Sequence, residues 1–321
     1  MNILIIKLGA LGDVVMATPL IEAIQKHHPG AVCHLLTTPA FAPLFRSWPD
    51  LEVIAQPRRG WRPMMHTIRL VRRLRATRIY DLQGNDRSAV VCALSGATDR
   101  VGNHTRYPYT HHPAEPWNGQ CHIFERMVTV LGAAGIDTVP GIPRLPLDEE
   151  EHTGVDEWIA RAGLNSQPYV VVHAGASAAR PEKRWPYFAE LGQRLSTAGI
   201  CPVFVGTDAE RDENSRLAAA AAGLDASGAF SVNALAEFGR RSRFAVTNDS
   251  GPMHVLAAAG IPVVGLFGPS DWRRNHALGQ GEHVIACVEI CEDFAGRRTG
   301  DCLDRISVDR VWQQLGDAGL V

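Results

Sequence analysis

Four short stretches place chemically able residues directly after apolar runs. In "KLGALGDVV" (residues 7–15) two glycines bracket a tight turn, and Asp13 stands where a helical pattern starts. A carboxylate there either caps the helix or serves as a general base, and both readings stay open. The third glycine of a G-x-G-x-x-G dinucleotide fingerprint is missing, which disfavours a nicotinamide-dependent oxidoreductase. "HAGASAARPEKRWP" (residues 173–186) offers bare backbone at Gly175, Ala176 and Ser177, followed by the cations Arg180, Lys183 and Arg184. Such a loop suits a phosphate or a phosphorylated leaving group, or is a solvated basic loop. "VGTDAERDE" (residues 205–213) presents Asp208 and Glu210. They are placed to hold ribose hydroxyls or to favour a helix start.

The fourth stretch, "FAVTNDSGPMHVLAAAGIPVVGLFG" (residues 244–268), empties a buried apolar run into five turn-forming residues that open onto a helix. Pro252 suits the first helical position, Asp249 or Ser250 can cap, and Gly251 admits close approach to the backbone. His254 follows one turn into the helix. A helix start with free N–H groups and little side-chain cover is an anion site. A cation-bearing loop, an acidic loop and an anion-binding helix start in one half of the chain together describe a nucleotide diphosphate site.

These loops need strands to end at them. Short apolar runs alternate with helical patterns throughout: strands at Asn2–Lys7, Val32–Leu36, Tyr80–Leu82, Tyr169–His173, Pro202–Val205 and Val263–Phe267, helices at Val14–His27, Ile68–Leu74, Ile123–Ala134, Tyr187–Ala198 and Glu210–Ala222. This alternation means parallel sheets covered by helices. The stretch Asp148–Gln167 reads as a junction, giving domains at residues 1–150 and 151–321 whose strand ends face one cleft. The last helix, near Val308–Leu315, can pack on either half, including back on the N-terminal domain.

The 321 residues are 45% hydrophobic and 21% charged with a net charge of −2, a soluble composition without a nucleic-acid signature. No apolar run reaches the ~18 residues that span a bilayer, and the N-terminus reads as a strand rather than a signal peptide. Seven scattered cysteines fit a reducing compartment, so cytoplasm is the expected location.

The chain resembles glycosyltransferase family 9, the ADP-heptose:lipopolysaccharide heptosyltransferases. "ILIIKLGALGDVVMATPLIEAI", "DLQGNDRSA", "HIFERMVTVLGAAGI", "HAGASAARPEKRWP" and "TNDSGPMHVLAAAGIPVVGLFGPSD" carry the likeness, from the N-terminus to about residue 271. The resemblance implies the α/β GT-B fold, two Rossmann-like doubly wound domains facing a central cleft. It implies an inverting, metal-independent transfer of heptose from ADP-heptose to a sugar of the lipopolysaccharide core, with no cofactor beyond the donor. Asp13 matches the family's proposed catalytic base, Lys183 its phosphate-binding lysine, and Asp249 to Gly251 its donor loop. Gly12, Ser177, Asp208, Glu210 and His254 join the donor side. Asn85, Asp86 and Arg87 in "GNDRS" face the acceptor or cap a helix. Another nucleotide-diphosphate sugar or acceptor remains open. So does a non-catalytic nucleotide-sugar-binding protein, which the retained Asp13 and Lys183 disfavour.

Arg58–Arg78 holds eight arginines and no acid. Met64, Ile68, Val71 and Arg75 share one helical face with Leu74 beside it. The run is either a solvated face or a peripheral contact with an anionic lipid acceptor or the anionic inner membrane; the expected acceptor is lipid-linked or an oligosaccharide. Cys287, Cys291 and Cys302, with His283 nearby, match a zinc site poorly, and ordinary thiols are the favoured reading.

Overall fold

A computed structural model describes residues 1–115, 121–177, 179–268, 270–287 and 302–321. The chain divides into two compact units, Met1–Pro146 and Leu147–Val321, each built on one parallel sheet.

The first unit runs β1 (Asn2–Ile6), α1 (Leu11–His27), β2 (Val32–Thr37), β3 (Leu51–Ala55), α2 (Trp61–Leu74), β4 (Arg78–Asp81), α3 (Asp86–Leu94), β5 (Asp99–Val101) and α4 (Ile123–Gly132). The strand order is β3-β2-β1-β4-β5, with every neighbouring pair parallel. β1 is central, and Ile3 to Ile6 are fully buried, as a strand covered on both faces requires. The chain winds from β1 out to β3, then returns to β4 on the other side. That reversal creates a switch point beyond the ends of β1 and β4, where doubly wound sheets bind ligands. Here α1 begins at Leu11, ahead of the apolar pattern. α2 begins at Trp61 and stops at Leu74 because Arg75 takes the left-handed conformation (φ 48°) and caps it. Arg75 therefore lies outside the face it was expected to share with Ile68 and Val71, which are buried.

The second unit runs α5 (Glu149–Arg161), β6 (Tyr169–His173), α6 (Phe188–Thr197), β7 (Cys201–Phe204), α7 (Arg211–Ala221), β8 (Leu224–Asp225), α8 (Val232–Arg240), β9 (Ala245–Asn248), α9 (Gly251–Ala257), β10 (Val263–Phe267), α10 (Trp272–Asn275), β11 (Val284–Ala286) and α11 (Val308–Asp317). The sheet order is β11-β10-β9-β6-β7-β8, again parallel throughout. Its switch point lies beyond β6 and β9. Alternate residues feed opposite faces. Val170, Val172, Phe204, Val246 and Leu266 pack with Phe188, Leu191 and Leu195 of α6. Tyr169, Val171, Val203 and Val263 pack on the other face with Val155, Ile159, Phe238 and Leu256.

The stretch read as a junction carries α5. Asp148 accepts a hydrogen bond from the Glu151 N–H (2.8 Å), Glu149 to Glu151 form its first turn, and Val155 and Ile159 are buried. Acids belong at a helix start, so the charged run begins a helix. The final helix, α11, buries Val311 and Leu315 in the core of the second unit.

Candidate functional site

In the second unit, the strand ends at the switch point bring the expected donor residues together. Asn248 closes β9 and is fully buried. Its amide donates to the Ala174 (2.8 Å) and Gly175 (3.2 Å) carbonyls, and its oxygen accepts from the Trp185 N–H (3.1 Å). The loop that carries Gly175 and Lys183 is thereby stapled to the turn that carries Asp249 to Gly251. Lys183 Nζ lies 2.5 Å from Asp249 Oδ2, an oxygen that Ser270 also approaches with its hydroxyl. The other loop cations are engaged elsewhere: Arg180 pairs with Glu182, and Arg184 with Glu213 on α7 at 2.6 Å. Lys183 is thus the cation aimed at the turn.

The helix start differs from its expected capping. Ser250 occupies the N-cap position of α9, with Pro in the first turn behind Gly251, yet no side chain caps it. The Ser250 hydroxyl sits 3.1 Å from His173 Nδ1 and donates to the Asn248 carbonyl (3.2 Å). The Asp249 carboxylate is taken by Lys183 and Ser270. The two residues expected to cap α9 are therefore drawn away from its amides. Ser250 and Gly251 keep partial exposure, and His254 is buried within the helix. α9 spans only seven residues, so its dipole is modest and the anion-binding capacity rests chiefly on Lys183 and local amides.

The acidic loop separates its two candidates. Glu210 curls back so that Oε2 accepts from the Thr207 N–H and hydroxyl, both at 2.8 Å. Its Oε1 packs so close to Gly175 that a Cβ there would overlap it, with His173 Nε2 next to the same point. Glu210 belongs to the cluster. Asp208 turns away to pair with Arg211, 2.5 Å distant, and is exposed. Ser177 is exposed, its carbonyl accepting from the Arg180 N–H (2.8 Å).

In the first unit the switch point holds Asp13, but not as a cap. Ala10 is the N-cap of α1, Gly12 is buried in its first turn, and Asp13 is the third helical residue. Gly9 has φ 135°, and a Cβ on it would lie 2.8 Å from Phe41 Cε2, so the turn demands glycine. Asp13 Oδ2 lies 3.6 Å from the ammonium of Lys7. The facing β4–α3 loop hangs on Asp81, a buried carboxylate that accepts from the Gln83 (3.0 Å) and Gly84 (2.9 Å) N–H groups and from the Tyr109 hydroxyl. Burial pushes the Asp81 carboxyl above the usual range against those bonds. Gln83 Oε1 accepts from the Leu8 N–H (2.8 Å), joining the two loops. Asn85 is a helix cap: its Oδ1 accepts from the Ser88 N–H, and Ser88 Oγ accepts from the Asn85 N–H, each at 3.0 Å. Asp86 is exposed, and Arg87 donates to the Gly60 carbonyl at 3.4 Å.

Lys7, Asp81, Tyr109, His173, Asn248 and Ser270 organise these loops without having been singled out from sequence. Cys287 and Cys302 are buried, Cys291 lies outside the described residues, and among the described residues no group of three His, Cys, Asp or Glu side chains is arranged to hold a metal.

The model described as glycosyltransferase family 9 (heptosyltransferase) matches residues 66–295. Lipopolysaccharide heptosyltransferase 2 of Escherichia coli (strain K12) is 26% identical, over 98% of this chain and 97% of its own length. The crystal structure of a family 9 glycosyltransferase from Veillonella parvula DSM 2008 superposes with a TM-score of 0.83 at 24% identity, covering 98% of this chain and 96% of that one. The structure of E. coli ADP-heptose lps heptosyltransferase II gives 0.74 at 24% identity, covering 100% and 98%. The two Rossmann-like parallel sheets are those of the GT-B fold.

Replacing Asn248 by Ala strands two buried carbonyls and one N–H, at a cost of about 2 kcal/mol or more. Urea unfolding should show that loss as a lowered midpoint. Burial, offset in part by Glu210, moves the His173 pKa from its ordinary 6.5 to about 4. Between those values the unfolded chain binds a proton that the native imidazole refuses. Its contribution to stability is complete above about pH 6.5 and is lost as pH falls toward 4. His173→Asn should flatten that part of the pH–stability profile; an unchanged slope would assign it to other groups such as His28, whose pKa burial also lowers to about 4.

Proposed function

The chain belongs to glycosyltransferase family 9, and on that premise we propose that it transfers heptose from ADP-heptose to a sugar of the lipopolysaccharide core, with inversion and without a metal. The observation that carries this reading is the Lys183–Asp249 pair beside the uncapped start of α9, at the switch point of the second sheet.

Inversion requires one in-line displacement at the anomeric carbon. The acceptor hydroxyl forms the new C–O bond as the bond to the diphosphate breaks, the electron pair leaving on the diphosphate oxygen. Lys183 and the backbone amides at Ser250 and Gly251 stabilise the charge that develops there. Glu210, held beside Gly175, is the better candidate for ribose hydroxyls, and Asp208, paired with Arg211, the poorer. Asp13 receives the acceptor proton. A single carboxylate suffices, because inversion passes through no covalent sugar–enzyme intermediate. ADP-heptose is the nucleotide sugar that should raise the melting point most in a screen against UDP- and GDP-sugars. Equal shifts from all of them would leave only a general diphosphate binder.

The acceptor is lipid-linked, and α2 supplies the surface to meet it from the cytoplasmic side of the inner membrane. Trp61 is 73% and Met65 41% exposed, beside the exposed Arg58, Arg59, Arg62, Arg69, Arg72 and Arg73. Exposed aromatic and arginine side chains on one helix suit an anionic interface. Among the described residues no helix is long and apolar enough to cross a membrane.

Asp13→Ala should abolish transfer while the ADP-induced thermal shift persists, since the base acts on the acceptor; near-normal turnover would remove Asp13 from the chemistry. Lys183→Ala should weaken ADP binding and lower kcat together, and no change in either would make its loop a solvated basic segment. Arg72→Glu with Arg73→Glu should weaken co-sedimentation with phosphatidylglycerol vesicles, a loss of roughly 1 kcal/mol per charge removed. Unchanged binding would reject the membrane surface.

A further inference from the structure

Lys7 follows the central strand of the first sheet and is 1% exposed, its side chain enclosed beneath the β1–α1 turn. An ammonium in that position needs compensation, because burial alone costs several kcal/mol. Two groups meet it: the Leu82 carbonyl, which accepts from Nζ at 3.2 Å, and Asp13 Oδ2 at 3.6 Å. Two further charges face it. Arg126, from α4, opposes it, and Asp81, at the end of β4, favours it. Arg126 donates to the Gln83 (3.3 Å) and Gly84 (2.9 Å) carbonyls, and Asp81 is occupied by Gln83, Gly84 and Tyr109. Among the described residues Asp13 is the carboxylate with which Lys7 forms its ion pair. The Asp13 side chain is 29% exposed, so one oxygen turns inward to the ammonium while the group stays accessible.

Stability does not explain a lysine there. An apolar side chain of similar length would fill the space without a desolvation cost, and such replacements of buried charges are often neutral or stabilising. The six-residue spacing from Lys7 to Asp13 spans the whole turn, so the pair joins the strand end to the first turn of α1.

We propose that Lys7 is a positioning residue for Asp13: a buried cation that fixes the direction of the carboxylate and so aims its accessible oxygen at the acceptor hydroxyl. This rests on Asp13 being the base. Lys7 neither gives nor takes a proton in the reaction; the hydroxyl proton passes to Asp13 as the glycosidic bond forms and ADP departs.

Lys7→Met keeps the volume and removes the charge. ADP release from ADP-heptose in the presence of acceptor should slow by about 10- to 100-fold in kcat, the scale of a misaimed catalytic group. The donor KM and the ADP-induced thermal shift should stay within about twofold of the parent, since the nucleotide is held by the other unit. A kcat within about threefold of the parent, or a parallel collapse of kcat, donor KM and thermal shift, would overturn the proposal. A second measurement does not depend on turnover. Asp13→Asn should lower the urea midpoint by leaving the Lys7 ammonium without its counter-charge, and adding Lys7→Met should restore it. Additive effects in that cycle would show that the pair is not coupled and would sink the idea even if Lys7→Met were slow. If Asp13→Asn retained turnover while the cycle showed coupling, the base assignment would fall and the positioning role with it, leaving only the ion pair.

Discussion

One buried amide governs the loops at the switch point of the second sheet. Asn248 satisfies two carbonyls and one N–H of the loop that follows β6, while its own backbone leads directly into the turn before α9. Two loops separated by more than sixty residues in sequence are thereby held in one geometry. The position of Lys183 follows from that restraint, because its loop has a short 3₁₀ turn at Pro181–Lys183 but no long helix or strand to direct it. The commitment of Ser250 to His173 and the Asn248 carbonyl follows too. Since buried polar groups must be satisfied, Asn248 cannot adopt another arrangement without leaving three partners stranded.

The first unit solves the same topological problem with charge. Beyond the ends of β1 and β4, Asp81 gathers the β4–α3 loop, Gln83 ties it to Leu8, and Lys7 reaches the Leu82 carbonyl. Both sheets place a lysine–aspartate pair next to the strand where the winding reverses. The pairs differ in depth. Lys7 is enclosed, whereas the Lys183 side chain retains 18% exposure. A sealed cation can orient a neighbour; a partly open one can also meet an incoming anion.

Much of this architecture is legible in sequence because apolar runs and turn residues report it directly. Tyr169–His173 and the strand–turn–helix unit around Asn248–Pro252 are marked by continuous burial and by glycine and proline. β3 is half exposed and β5 only three residues long, so neither carries a clear apolar signal. α5 hides behind an acidic run that reads as linker until the spacing of Val155 and Ile159 is noticed. The site was less legible. A lysine after a strand looks solvated, and nothing local reveals that Lys7 is enclosed. Asp208 and Glu210 are alike in composition. The Thr207-x-x-Glu210 spacing of a capping box was the available sign that Glu210 would fold back, and Asn85-x-x-Ser88 gave a similar hint for α3. Partners such as Tyr109 for Asp81 and Ser270 for Asp249 lie more than twenty residues away in sequence, beyond the reach of any local pattern.

The contact between Lys183 and Asp249 has a kinetic corollary. The ammonium is already neutralised at 2.5 Å, so an arriving anion exchanges one counter-ion for another instead of meeting a bare charge. The gain in binding is correspondingly smaller than an isolated lysine would provide. On the function proposed above, the same carboxylate would reclaim the lysine as a spent nucleotide leaves, which favours its escape.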